Sequence, residues 1–265
     1  MSQGASPWLV LCLGFLAAGA NILGGRIALS RPRVAQRHLI LGLAFSGGFL
    51  LAVAFLLILP ECMRATDAAP ALIAGGYFLV YLAEHIYAGH AHHAPTEPHG
   101  AHPLVGAHAV DDEAPIAPAA GSAAAAGLLL HSFFDGAAIA AALATGSVVG
   151  WLTFLAVVFH KIPEGFSLAS IALASGRKPR TAALLAGALG ASSFAGTVTL
   201  ILVSRAFLGL EGVFLGIACG MFIHIAATDL LPTTSHVKGL AVLGATAAGV
   251  AAVVLAGGLL RLAGF

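Results

Sequence analysis

Charge is what this chain has least of. Only 9% of its 265 residues are charged, against 59% hydrophobic, and the mean hydropathy is +0.98. A soluble domain carries about 25% charged residues, so most of this surface must face something other than water. Cysteine is scarce too. Cys12, Cys62 and Cys219 stand far apart in apolar contexts with no CxxC spacing, which argues against a disulfide framework and a thiolate zinc site. The formal net charge of +1 gives no sign of a nucleic-acid partner. A basic n-region and a small-residue cleavage site are both missing around the first apolar run, so residues 8–29 are expected to be a retained span.

What is present is a series of long apolar stretches. Eight spans can be drawn, at about 8–29, 38–60, 68–88, 122–145, 150–174, 180–205, 212–232 and 238–262. Each is about long enough for a 30 Å hydrocarbon layer at 1.5 Å per residue. Helices are expected rather than a barrel, because the segments are long and lack strict alternation. Their many Gly and Ala residues suit close helix packing in lipid. The expectation is an all-α polytopic membrane protein forming one transmembrane domain over residues 1–265.

Basic residues set the orientation. Arg26, Arg31, Arg33, Arg37, Arg177, Lys178, Arg180 and Lys238 fall in loops on one side, and Arg64, Arg205 and Arg261 on the other. The first side should be cytoplasmic and both termini outside, in a cell (inner or plasma) membrane. The longest loop, 89–121, is rich in Pro, Gly, His and acids without a helical period, and is expected to be disordered and cytoplasmic. Its His90, His92, His93, His99, His102 and His108, with Asp111, Asp112 and Glu113, would make a weak, flexible chelator. An internal repeat is also suggested. GFLLAVAFLLILP from Gly48 and GMFIHIAATDLLP from Gly220 keep the same Gly-to-Pro separation, and the two spans cross in opposite directions, as in an inverted repeat of spans 1–3 and 6–8.

The chemistry sits in spans 4 and 5. Span 4 holds His131-Ser132-Phe133-Phe134-Asp135-Gly136, and span 5 holds His160-Lys161-Ile162-Pro163-Glu164-Gly165. In each, an imidazole and a carboxylate four residues apart lie on one helix face. A short connection makes the spans antiparallel neighbours, so two nitrogens and two oxygens can surround one point. That donor set suits a borderline transition metal; calcium or magnesium would want more oxygens. An ionised group at the bilayer centre costs roughly 2.5–3.5 kcal/mol even on lenient scales, so Asp135, Lys161 and Glu164 need compensation, which a metal between the carboxylates supplies. Pro163 cannot give an N–H to the Phe159 carbonyl, and a bend around the site is expected there. The alternative is a hydrogen-bond and ion-pair network that only pins two helices.

The pair HSFFDG and HKIPEG resembles the signature of the Zrt/Irt-like (ZIP) family of metal transporters. The resemblance implies a ZIP-like bundle of eight spans, outward termini, a His-rich cytoplasmic loop between spans 3 and 4, inward transport and a homodimer. Carried over by position, it assigns His131, Asp135, His160 and Glu164 to the transport site. Ser132 and Lys161 match positions where many relatives hold a second metal with Asn and a carboxylate. Here Ser is a weaker ligand, Lys⁺ repels a cation, and GALGASSFAG in span 6 lacks the carboxylate that some relatives add. With both acids ionised and Lys161 protonated the empty site carries −1, and one divalent ion brings it to +1. A second would raise it to +3, where unit charges 4 Å apart interact by about 4 kcal/mol at an effective dielectric of 20. A single ion is expected, with Lys161 as a built-in cation pairing with Asp135 or Glu164.

His224 and Asp229 on span 7, with Glu84 and His85 closing span 3, are candidates for the path out of the site. The alternatives are a satisfied core histidine, an acid bonded to backbone and a solvated helix end. The function expected is secondary transport of a divalent ion toward the cytoplasm: Zn²⁺ first, then Fe²⁺, Mn²⁺ or Cd²⁺. Two alternatives are an exporter of the cation-diffusion type, which reads poorly against eight spans, and an intramembrane zinc metallohydrolase, for which no general base is evident.

Overall fold

Every regular element in the computed structural model is a helix, among residues 5–30, 35–89, 118–204, 210–235 and 239–262, which the structure describes. The spans are α1 (Pro7–Ser30), α2 (Ala35–Val53, continued through Ala54–Ile58 and Leu59–Ala65), α3 (Ala69–Gly89) and α4 (Pro118–Thr145). They continue as α5 (Ser147–Ala174), α6 (Pro179–Ser204), α7 (Leu210–His224, continued through Ile225–Leu230 and Leu231–Ser235) and α8 (Leu240–Leu262). Seven of these are long and apolar enough to cross a membrane, and the eighth, α3, adds the shorter apolar stretch Ala69–Ala83. The protein is thus a polytopic all-α membrane protein. The His-rich stretch falls outside the described residues, except that α4 begins at Pro118, inside the expected loop.

Burial sorts the helices. In α4 and α5, 67% of the apolar window is buried, against 22% in α8. Large apolar side chains such as Leu184, Leu243, Leu255 and Leu259 stay exposed. Outward-facing Leu on a membrane helix is the lipid-facing surface, since water is not its solvent. The core is built largely from small residues, Ala137, Ala138, Ala141, Ala142, Ala156 and Ala169 among them, which let backbones approach closely.

Only Gly146, in an extended conformation, separates α4 from α5. His131 lies 15 residues before it and His160 14 after it. At about 1.5 Å per residue the two imidazoles therefore stand at nearly the same depth on antiparallel helices. Around this hairpin the packing repeats in pairs. α1 packs on α5 as α6 packs on α4, and α2 packs on α8 as α7 packs on α3. Gly24 of α1 lies against the Ile162 carbonyl of α5, and Gly196 of α6, 172 positions later, lies against the Phe133 carbonyl of α4. Gly48 and Gly220, again 172 apart, meet the carbonyls of Thr246 and Ile73.

The repeat extends to an irregularity. α2 and α7 each widen into a π turn, with Leu59 N–H bonded to the Ala54 carbonyl and Leu231 N–H to that of Ala226. Each π segment ends two residues before a proline, Pro60 or Pro232. Proline has no N–H and its ring crowds the preceding turn, and an i→i+5 bond lets the helix absorb the mismatch without breaking. Two spans sharing a glycine contact, a π turn and a proline in one register are related by the internal repeat.

Candidate metal site

The hairpin brings all four expected ligands together. His131, Asp135, His160 and Glu164 are buried and each offers one ligand atom within 4.8 Å of the others. His131 Nε2 lies 3.0 Å and His160 Nε2 3.3 Å from Asp135 Oδ2. The motif glycines let the flanking helices α6 and α1 close tightly on the hairpin. A Cβ on Gly136 would strike the Ser193 carbonyl of α6, and one on Gly165 the Asn21 carbonyl of α1.

Lys161 fills the space between the acids. Its Nζ is 2.5 Å from Asp135 Oδ2, 2.5 Å from Glu164 Oε2 and donates to Ser132 Oγ at 2.7 Å. The side chain is fully buried and all three ammonium protons have an acceptor, so it does not reach toward the membrane interface. The expectation of a pair with one acid is met by a pair with both. Ser132 in turn donates to the Leu189 carbonyl of α6 at 3.1 Å.

The ring of His160 is oriented from behind. Its Nδ1 donates to the Ala156 carbonyl at 2.8 Å, because a carbonyl can only accept. In the neutral tautomer Nε2 then presents a lone pair to a carboxylate oxygen 3.3 Å away. Two acceptors face each other, a conflict relieved by a cation between them or by a second ring proton. A backbone partner behind a ligating imidazole is the usual way to fix the metal-binding nitrogen. His131 Nδ1, Asp135 Oδ1 and Glu164 Oε1 are buried without a hydrogen-bond partner among the described residues.

α5 stays helical through Pro163. The Phe159 carbonyl freed by this proline accepts a hydrogen bond from Ser46 Oγ of α2 at 3.0 Å. Sequence reasoning missed that partner, and it missed Asn21 of α1. Asn21 is fully buried and its amide lies between Ser132 and Glu164. A signal existed, since Asn21 is the chain's only asparagine and stands in the middle of the first apolar span.

The remaining candidates are not part of the four-ligand cluster. His224 and Asp229 are buried on α7. The π turn at Ile225–Leu230 closes over five residues, which brings them nearer to one face than α geometry would. The His224 ring packs on Tyr77 and Tyr81 of α3, centroids 4.7 and 6.4 Å apart, and Tyr81 packs on the exposed His85 at 4.0 Å. The side chain of Glu84 and residues His90, His92, His93, His99, His102 and His108 lie outside what the structure describes.

Residues 113–257 match the family model of the ZIP zinc transporters. Similar proteins include zinc transporter zipt-7.1 of Caenorhabditis briggsae, 29% identical over 106 residues (39% of this chain, 27% of that protein). Zinc transporter ZIP4 of Homo sapiens is 33% identical over 109 residues (41% and 17%), and zinc transporter foi of Drosophila melanogaster 33% over 106 (40% and 15%). The chain spans about a quarter or less of the length of these curated relatives. The family model covers more than half of the chain and includes both motifs, so the chain belongs to the ZIP zinc transporter family.

Proposed function

We propose that this protein carries one divalent transition-metal ion at a time, zinc foremost, into the cytoplasm through a mononuclear site on α4 and α5. The observation that carries the proposal is the convergence of four buried ligand atoms within 4.8 Å on two antiparallel helices. Two imidazoles and two carboxylates suit zinc, with Fe²⁺, Mn²⁺ and Cd²⁺ within reach of the same donors. The relatives are all named zinc transporters, which points to the same cargo. Lys161 supports single occupancy, because its ammonium sits between the two carboxylates that a second ion would need.

The cycle follows from the charges. In the metal-free state Lys161 bridges Asp135 and Glu164, so the cluster carries −1 and not −2. An arriving divalent ion takes the free lone pairs of the imidazoles and carboxylates and displaces Lys161 from one or both acids. Release restores the bridge. Lys161 thereby offers the carboxylates an internal partner whenever cargo is absent, and the empty site need not face lipid as two bare anions. Alternation between the two sides would come from α4 and α5 moving against the other helices. His224, Asp229, Glu84 and His85 are proposed to line the way out, and His90 to His108 to catch released ion weakly. Cytoplasmic placement of that loop, outward termini and a homodimer in the cell membrane complete the proposal, on the basic-residue pattern and the family resemblance.

The test is a metal-competition uptake series on purified protein in liposomes. Zinc-dependent uptake that is lost in His160→Ala is expected, with Fe²⁺, Mn²⁺ and Cd²⁺ competing and Ca²⁺ and Mg²⁺ not. Equal uptake by wild type and His160→Ala would reject the site.

A further inference from the structure

We propose that Asn21 of α1 is a positioning residue for the metal site, holding the Glu164 carboxylate by one oxygen so that the other stays free for cargo. The inference rests on the four-ligand cluster being the transport site. With its nitrogen turned toward α5, the Asn21 amide donates to Glu164 Oε2 at 3.3 Å and to the Lys161 carbonyl at 2.9 Å. The opposite orientation gives one bond, to Ser132 Oγ at 3.4 Å, and sets the amide oxygen against two acceptors. A buried amide takes the orientation that satisfies its network. Glu164 Oε2 then accepts from both Lys161 Nζ and Asn21, while Oε1 has no partner among the described residues. A carboxylate gripped by one oxygen turns its other lone pairs in a fixed direction.

The grip is rigid because the backbones touch. Gly165, next to Glu164, packs on the carbonyl of Asn21 itself, and Gly24 packs on the Ile162 carbonyl one turn away. The repeat makes the arrangement one-sided. The position equivalent to Asn21 on α6 is Ser193, whose buried hydroxyl has no hydrogen-bond partner among the described residues. Asp135 takes its contacts from His131, His160 and Lys161, all on its own hairpin. Glu164 is thus the ligand tied to a third helix, and a shift of α1 along α5 would be felt by the metal through Asn21.

Zinc uptake into liposomes by Asn21→Leu and Asn21→Ala tests this. Leu keeps the volume without a donor, and Ala removes the donor without overpacking if Leu does not fold. Loss of a partner that orients a ligating carboxylate typically weakens metal affinity about 10–100-fold, so KM should rise by that factor while Vmax changes much less. Zinc titration by calorimetry should show the same loss with stoichiometry unchanged. Asn21→Ser, which retains a donor, should fall between. A folded variant with KM within about twofold of wild type, or one that loses Vmax and thermal stability at constant KM, would overturn the role. Failure of wild type to take up zinc would instead remove the transport proposal beneath it.

Discussion

At the scale of single residues, the chain solves a charge problem with a tethered cation. Asp135, Lys161 and Glu164 are all buried on helices long and apolar enough to cross a membrane, where each would be costly alone. Breaking a buried ion pair by removing one partner typically costs about 3–5 kcal/mol. Lys161→Ala should therefore lower the thermal stability of the metal-free protein by an amount in that range, and zinc should restore it. Calorimetry on the same variant should show at least about tenfold tighter zinc binding, or a second equivalent bound, because a cation competing for both acids has gone. Unchanged stoichiometry and affinity would remove the proposed role. The four proposed ligands and Lys161 were legible in the sequence because a His-x-x-x-carboxylate pattern carries its own geometry on a helix. Asn21 and Ser46 were not. Their contacts, Asn21 to Glu164 and Ser46 to Phe159, reach 143 and 113 positions along the chain, and a lone polar residue in an apolar run has no partner on its own helix to mark it.

Among the helices, close approach through small residues does what hydrophobic burial does in water. Gly165→Val should drive a Cβ into the Asn21 carbonyl, an overpacking that backbone cannot relieve with a rotamer change. A loss of about 1–3 kcal/mol is expected, read as a drop in the detergent melting temperature. Gly187→Ala, where an added Cβ meets nothing within 4 Å, should leave that temperature unchanged or raise it. Ser46→Ala should strand the Phe159 carbonyl at a cost of about 1–3 kcal/mol. Span lengths were readable because a bilayer demands them. The π turns of α2 and α7 were not, since widening a helix before a proline leaves the residue types unaltered, and the Gly-to-Pro spacing showed the repeat without showing its shape. The start of α4 at Pro118 instead of residue 122 has a similar cause. Ala-rich sequence offers little contrast between loop and helix.

For the molecule as a whole, a repeat of packing contacts surrounds an α4–α5 hairpin that carries the four converging side chains. The flanking helices are mostly apolar because the ligand cluster sits on the hairpin, with Asn21 and Ser46 reaching in from α1 and α2 and His224 and Asp229 buried on α7. The histidines of residues 90–113 lie outside the described residues, and deleting that stretch should alter metal handling while leaving basic uptake in place; a folded deletion variant without uptake would contradict that. Membership of the family was written in the paired motifs, and direction and partnership of subunits were not, because nothing in a hairpin's donor atoms points inward or outward. The most direct test of four side chains sharing one ion is zinc K-edge X-ray absorption on purified protein loaded with one equivalent. A shell of nitrogen and oxygen at about 2.0–2.2 Å, with two imidazoles and lost in His160→Ala, is expected. Sulfur at about 2.3 Å, or a spectrum indifferent to His160→Ala, would put the zinc somewhere else.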